Sequence, residues 1–212
     1  MRRLPVYLLL DVSGSMSGEP IEAVKNGVQM MHSALRKDPY ALESAYISVI
    51  TFESNVQQVI PLTELSQFQP PNLHAGGGTS FGAALQKLVD CAEQEVSKST
   101  KEQKGDWKPL VFIMTDGSPT DNVEQGVAAF NNYKWGVVVA CAAGQHADKT
   151  ILQRLTENVV TLDTADSATI SAFFKWVSSS ISASSKKVDE AGGETGSSEL
   201  PPPPPEISLV KP

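Results

Sequence analysis

Val6-Tyr7-Leu8-Leu9-Leu10-Asp11-Val12-Ser13-Gly14-Ser15-Met16-Ser17-Gly18 is a compact apolar run that stops at a carboxylate and continues through hydroxyls and glycines. Just downstream, Ile21, Val24, Val28, Met31 and Leu35 step by three and four, the spacing of a helix with one buried face. Pro20 stands at the first turn of that helix, where its missing N–H costs nothing. Buried strand, polar loop, one-faced helix: the unit belongs to a sheet covered by helices, and it recurs along the chain.

Ala45–Phe52 reads as the next strand, and Val56–Leu62 follows after only Ser54-Asn55, too short a link for a parallel crossover. Leu85, Leu88, Ala92 and Val96 mark a second helix, entered through His74-Ala75-Gly76-Gly77-Gly78-Thr79-Ser80. Leu110–Met114 and Val137–Ala142 are continuous apolar runs, as strands covered on both faces require. Ile151–Leu155 forms a short helix, Val159–Leu162 a last strand, and Ile170, Phe173, Phe174, Val177 and Ile181 a third long helix. The pattern predicts a doubly wound, Rossmann-like, mostly parallel six-stranded sheet with one antiparallel edge strand and helices on both faces.

The 212 residues suffice for one sizeable core. Six of the fourteen prolines, Pro201–Pro205 and Pro212, fall in the last twelve residues. We therefore divide the chain into a globular domain over residues 1–185 and a Gly/Ser- and Pro-rich tail over 186–212. Residues 178–187 (SSSISASSKK) are expected to dissolve the last helix, followed by a flexible linker, a polyproline II rod and a short β-prone stub, Glu206–Val210. Such a stub can add to a sheet edge as a second interaction element or remain a solvated end.

The net charge of −7 includes no Lys/Arg cluster, which argues against nucleic acid and anionic membrane surfaces as partners. Cys91 and Cys141 lie in apolar contexts and read as two small buried hydrophobes. The start MRRLPVYLLLD imitates a signal peptide, but Pro5, Asp11 and the lack of a small-residue cleavage site favour a buried strand. No apolar run approaches the roughly 20 residues that span a bilayer. A cytoplasmic protein is expected.

The chemistry gathers at Asp11. In an extended segment residues two apart point the same way, so Asp11, Ser13 and Ser15 converge. Hard oxygen donors without His or Cys suit Mg²⁺ or Mn²⁺, although a plain turn explains a D-x-S-x-S stretch equally well by itself. Two more pieces share its sheet edge. Thr79 in the glycine-rich loop offers another hydroxyl, and Asp116, after Leu110–Met114, a second carboxylate. The two aspartates balance the charge of a divalent ion, and an open coordination position is expected.

D-x-S-x-S, the Gly-Gly-Thr loop and T-D-G, in this order, resemble the von Willebrand factor A domain and its metal-ion-dependent adhesion site. The likeness covers roughly residues 4–183. It implies that Ser13, Ser15 and Thr79 bind Mg²⁺ or Mn²⁺, with Asp11 and Asp116 bonded directly or through water, and that a partner's Asp or Glu completes the metal's shell. LLLDVSGSMSGEPIEAV and FIMTDGSPTD are similar, more narrowly, to the stand-alone A domains of bacterial tellurite-resistance (TerY-like) clusters. That resemblance implies an adaptor in a chemical-stress response, with a Ser/Thr kinase and a protein phosphatase as partners.

Enzyme motifs fail at the residue that does the chemistry. A D-x-D phosphatase needs a second carboxylate where Ser13 stands. Gly14–Gly18 carries Met16 at the centre of its would-be nucleophile elbow, and Gly77–Gly82 is followed by Ala83-Ala84 instead of Lys and Ser/Thr. A non-enzymatic interaction module is the reading. A regulatory phospho-acceptor, based on the Ser/Thr density at 178–185 and around the metal loop, is the alternative, and a Mg²⁺-dependent phosphatase comes third. His32, His74 and His146, Trp107, Trp135 and Trp176, and Ser17 are assigned to loops, surfaces and packing. Thr120 and Asp121 are assigned to capping a helix near Pro119–Val123, and Glu93 and Glu95 to a solvated face. The positive end of the helix starting near Ser80 is expected to favour an incoming anion. Loops Ser17–Pro20, Phe68–Ser80 and Gly117–Asp121 are expected to set partner identity.

Overall fold

The computed structural model describes residues 2–191 and 200–210. Strands β1 (Leu4–Asp11), β2 (Ala45–Phe52), β3 (Val56–Glu64), β4 (Leu110–Thr115), β5 (Val138–Ala143), β6 (Val159–Leu162) and β7 (Ser208–Leu209) form one sheet in the order β3-β2-β1-β4-β5-β6-β7. The five central strands are parallel, and β3 and β7 are antiparallel edges. Helices α1 (Glu19–Leu35), α2 (Pro39–Ser44), α3 (Phe81–Glu95), α4 (Glu124–Asn132), α5 (Lys149–Gln153) and α6 (Ser167–Ala191) surround it.

Alternation along β1 explains the layering. Leu4, Val6, Leu8 and Leu10 face α1 and α6, whereas Tyr7 and Leu9 face α3 and its neighbours. On the first face α1 and α6 approach so closely that a Cβ on Gly27 would lie 2.2 Å from the Phe174 ring. Both cysteines are buried and free, as the apolar contexts required. Trp107 and Trp176 are buried as packing residues, and Trp135 stacks on Phe130 with centroids 5.0 Å apart.

The fold departs from the sequence reading in four places. First, the sheet has seven strands, because the stub at Ser208–Leu209 pairs with β6 and gives a second antiparallel edge. Second, α6 does not dissolve at 178–187. Hydroxyls of Ser178, Ser179 and Ser180 donate to the carbonyls of Phe174, Lys175 and Trp176 at 3.0, 3.1 and 2.8 Å, and Ile181 and Val188 continue the buried stripe. Tertiary burial thus overrides weak helix propensity. The same helix buries Ser178, Ser180 and Ser185 and leaves Ser179 exposed. The expected linker over 192–199 lies outside the described residues.

Third, Glu95 is not a solvated helix residue. Its carboxylate accepts from Tyr7 Oη at 2.9 Å, from Gln58 Nε2, and from the Leu62 amide at 3.0 Å, beside a strand whose register with β2 shifts. Periodicity missed this because the partners come from β1 and β3. Fourth, Thr120 and Asp121 do not cap the helix that follows them, α4, which begins at Glu124. Asp121 instead accepts from Gly82 N and Ala83 N of α3 at 3.0 and 2.9 Å, and Thr120 Oγ1 accepts from Thr79 N at 3.0 Å.

Candidate metal centre at the switch point

Winding reverses between β1 and β4, the central neighbours of the sheet, so their C-terminal loops diverge and open a crevice. Asp11 ends β1 and Thr115-Asp116 end and follow β4 there. The chain does not stay extended after Asp11, as the alternation argument assumed. It folds into a 3-10 turn over Gly14–Met16, and Asp11 Oδ1 accepts from Ser13 N at 2.8 Å. The turn still brings the hydroxyls together: Ser13 Oγ and Ser15 Oγ lie 3.0 Å apart, and Ser15 Oγ donates to Asp116 Oδ1 at 2.7 Å.

Thr79 joins them through the glycine-rich loop. Gly14 N donates to Gly77 O at 3.0 Å and Gly76 N to Val12 O at 2.9 Å, tying that loop to the turn after β1. Gly77 has φ +70°, a left-handed conformation that favours glycine. Gly117 lies between two of the hydroxyls. A Cβ built on it would sit 3.9 Å from both Ser15 Oγ and Thr79 Oγ1. Contacts thus link the five sequence-selected residues in a chain, Asp11 to Ser13, Ser13 to Ser15, Ser15 to Asp116, with Thr79 beside Ser15 across Gly117, and three hydroxyls and two carboxylates there offer oxygen alone. That donor set fits a hard divalent cation.

Burial separates the two acids. Asp11 is 1% exposed, and its second oxygen accepts from Thr115 Oγ1 at 2.6 Å. Desolvation raises its pKa above the ordinary carboxylate range, opposed by hydrogen bonds from Ser13 and Thr115. Asp116 is partly exposed, and its pKa is also raised by desolvation, opposed by the hydrogen bond from Ser15 and by the nearby His146. Ser13 and Thr79 are buried, whereas Ser15 is exposed and presents the open side. Neutralising two desolvated carboxylates is the service a cation would render here.

Sequence reasoning missed the support around these residues. Thr115 was visible only as the first letter of T-D-G. Ser54 Oγ, which accepts from Gly78 N at 2.8 Å, carried no motif. His146 reaches the vicinity of Asp116 because Asp148 N donates to Gly117 O at 3.3 Å, joining two loops distant in sequence. The α3 N-terminus was misjudged: Asp121 already occupies its first-turn amides, so they are not free for a partner's anion. His74 is an exposed loop residue, and His32 packs edge-on against Phe68.

A doubly wound sheet with an all-oxygen cluster at its switch point defines a class of fold with a ligand-binding upper edge. The chain belongs to the von Willebrand factor type A domain family, whose match runs over residues 6–175. It is 23% identical over 159 residues to human inter-alpha-trypsin inhibitor heavy chain H6, an alignment covering 71% of this chain and 12% of that one. It is 32% identical over 123 residues to an uncharacterized protein of Synechocystis sp., covering 55% and 26%. The chain thus spans only a minor part of the length of either relative. Among solved structures, proximal thread matrix protein 1 of the mussel byssus, with a zinc-occupied MIDAS motif, superposes with TM-score 0.60 at 19% identity, covering 84% of this chain and 48% of that one. Among the described residues no helix is long and apolar enough to cross a membrane.

Proposed function

We propose that the chain is a non-enzymatic, metal-dependent protein-interaction module. Asp11, Ser13, Ser15, Thr79 and Asp116 would hold Mg²⁺ or Mn²⁺, and a partner's Asp or Glu would complete the shell. The observation that carries this is the convergence of Ser15 Oγ and Thr79 Oγ1 on one point above Gly117, with Ser15 bonded to Asp116. Bound there, the ion supplies a positive centre for a carboxylate. The chain's own residues orient the hydroxyls and keep Asp11 from water. Metal coordination alone gives a small interface, so the loops Ser17–Pro20, Phe68–Ser80 and Gly117–Asp121 set the partner's identity.

The resemblance of LLLDVSGSMSGEPIEAV and FIMTDGSPTD to tellurite-resistance A domains supports a finer placement. There the module is a cytoplasmic adaptor in a bacterial stress-response complex that includes a Ser/Thr kinase and a phosphatase. The test is capture of partners from a native extract by the full chain, in Mg²⁺ and in EDTA, beside Asp11→Ala. Partners should be lost in EDTA and with the variant while the circular dichroism spectrum is kept. Partners that persist in both cases sink the reading.

A further inference from the structure

The family match ends at residue 175, yet residues 200–210 are packed against the domain. Pro201 O accepts from the indole Nε1 of the buried Trp176 at 2.8 Å. Exposure along the prolines has the three-residue period of polyproline II: Pro202 and Pro205 face solvent, and Pro201, Pro203 and Pro204 are half-buried. Ile207 N closes a turn onto Pro204 O at 3.0 Å, and the Ile207 side chain is buried in the core. The chain then descends as β7 along β6, where Val210 N donates to Val159 O at 2.8 Å.

These contacts combine two modes by which proteins bind peptides in trans. One is an aromatic groove reading a polyproline ridge, and the other is strand addition to a sheet edge. Open grooves of about 660 and 650 Å³ border the segment, the first bounded by Met30 and Lys175, the second by Glu157 and Asn158, and both by Trp176. A segment with so few buried groups beside open volume belongs to the low-stability end of a fold.

We propose that the Trp176 groove and the edge of β6 form a second binding site, specific for a proline-rich segment that runs into a short strand, and that residues 200–210 occupy it in cis as a displaceable ligand. The site lies outside the metal centre and does not depend on it. Tethering gives the chain's own segment an effective concentration in the millimolar range, so it excludes competitors until it is released.

Two measurements on the full chain decide this. In native-state hydrogen exchange, the Val210 amide and the Trp176 indole should exchange at least a hundredfold faster than the β4 and β5 amides. Exchange of all of them only by global unfolding overturns the proposal, because the segment is then part of the core. In the second, a full chain with Ile207→Asp should release the segment and bind a labelled peptide of the sequence LPPPPPEISLV, read by fluorescence anisotropy. Binding should be at least tenfold tighter than to the unsubstituted chain and should weaken about tenfold when Trp176→Phe removes the indole donor. A released chain that binds neither this peptide nor binds it better than a scrambled one refutes the site. Loss of the native far-ultraviolet spectrum and of cooperative unfolding in Ile207→Asp also refutes it, since a displaceable ligand cannot be required for folding.

Discussion

The loops beyond β1 and β4 and the outer edge beyond β6, the two regions proposed to bind ligands, are held differently. At the switch point, polar groups from three separate segments cross-brace one another. Asp11 is bonded to Ser13 N and Thr115 Oγ1, Gly14 N to Gly77 O, and Thr79 N to Thr120 Oγ1. At the outer edge, residues 200–210 rest on one indole bond, one buried isoleucine, the partly buried Leu200 and Val210, and a two-residue strand extended by the bond from Val210 N to Val159 O. Cross-bracing pre-organises donor atoms so that little order is lost on binding, whereas sparse contacts allow exchange. The first arrangement suits the metal binding proposed for it, and the second suits the exchange of a segment proposed there.

The largest expected effect falls on the braced region. Asp11→Ala removes a direct or water-mediated donor and half of the site's negative charge, and should weaken Mn²⁺ binding at least a hundredfold by titration calorimetry. Trp176→Phe should leave that affinity unchanged. Equal losses in the two variants would show that the regions are coupled and that the comparison is mistaken.

Thr115→Val tests the bracing itself. The hydroxyl donates to Asp11 Oδ2, and the isosteric valine leaves that buried oxygen without its donor. A cost of about 1–3 kcal/mol in urea unfolding is expected, the usual penalty for an orphaned buried polar group. Thr115 also shows how far the site was legible. That Asp11, Ser13, Ser15, Thr79 and Asp116 gather at one sheet edge was readable because the fold places strand ends and their loops together there. Thr115, Ser54 and Asp121 were not, since their roles depend on which loops meet across the crevice, and local pattern carries no such information. The edge strand β3 was readable from a short hairpin link. Strand β7 was only one of two open options, because its pairing joins residues 47 apart in sequence, Thr161 and Ser208. The serines of α6 misled because their propensity argues for a loop, while the buried stripe that decides the matter runs from Ile170 to Val188.

Protonation gives a third, smaller contrast. Burial raises the pKa of Asp11 and of Asp116, so the folded chain retains protons at pH values where the unfolded chain has released them. Their contribution to metal-free stability is therefore most favourable below the unfolded carboxylate value of about 4 and declines as pH rises through the raised values. Thermal unfolding should show Asp11→Asn, which carries no charge, losing less stability over that rise than the unsubstituted chain. At pH 7, Mg²⁺ at a hundred times its Kd should stabilise the unsubstituted chain by about 2.7 kcal/mol and the variant far less.

The smallest effect belongs to the outer edge and is the sharpest check on the comparison. Leu209 is 53% exposed although it lies in a strand, and its pairing with Val160 uses backbone atoms that any residue supplies. Its side chain therefore buries little, and lysine is a residue that natural edge strands use to discourage further pairing. Leu209→Lys should change unfolding free energy by no more than about 0.5 kcal/mol, as for other surface substitutions. A loss well above 1 kcal/mol would mean that β7 carries energy like the inner strands. The outer edge would then be a finished part of the core and could not serve as a seat for an exchangeable segment.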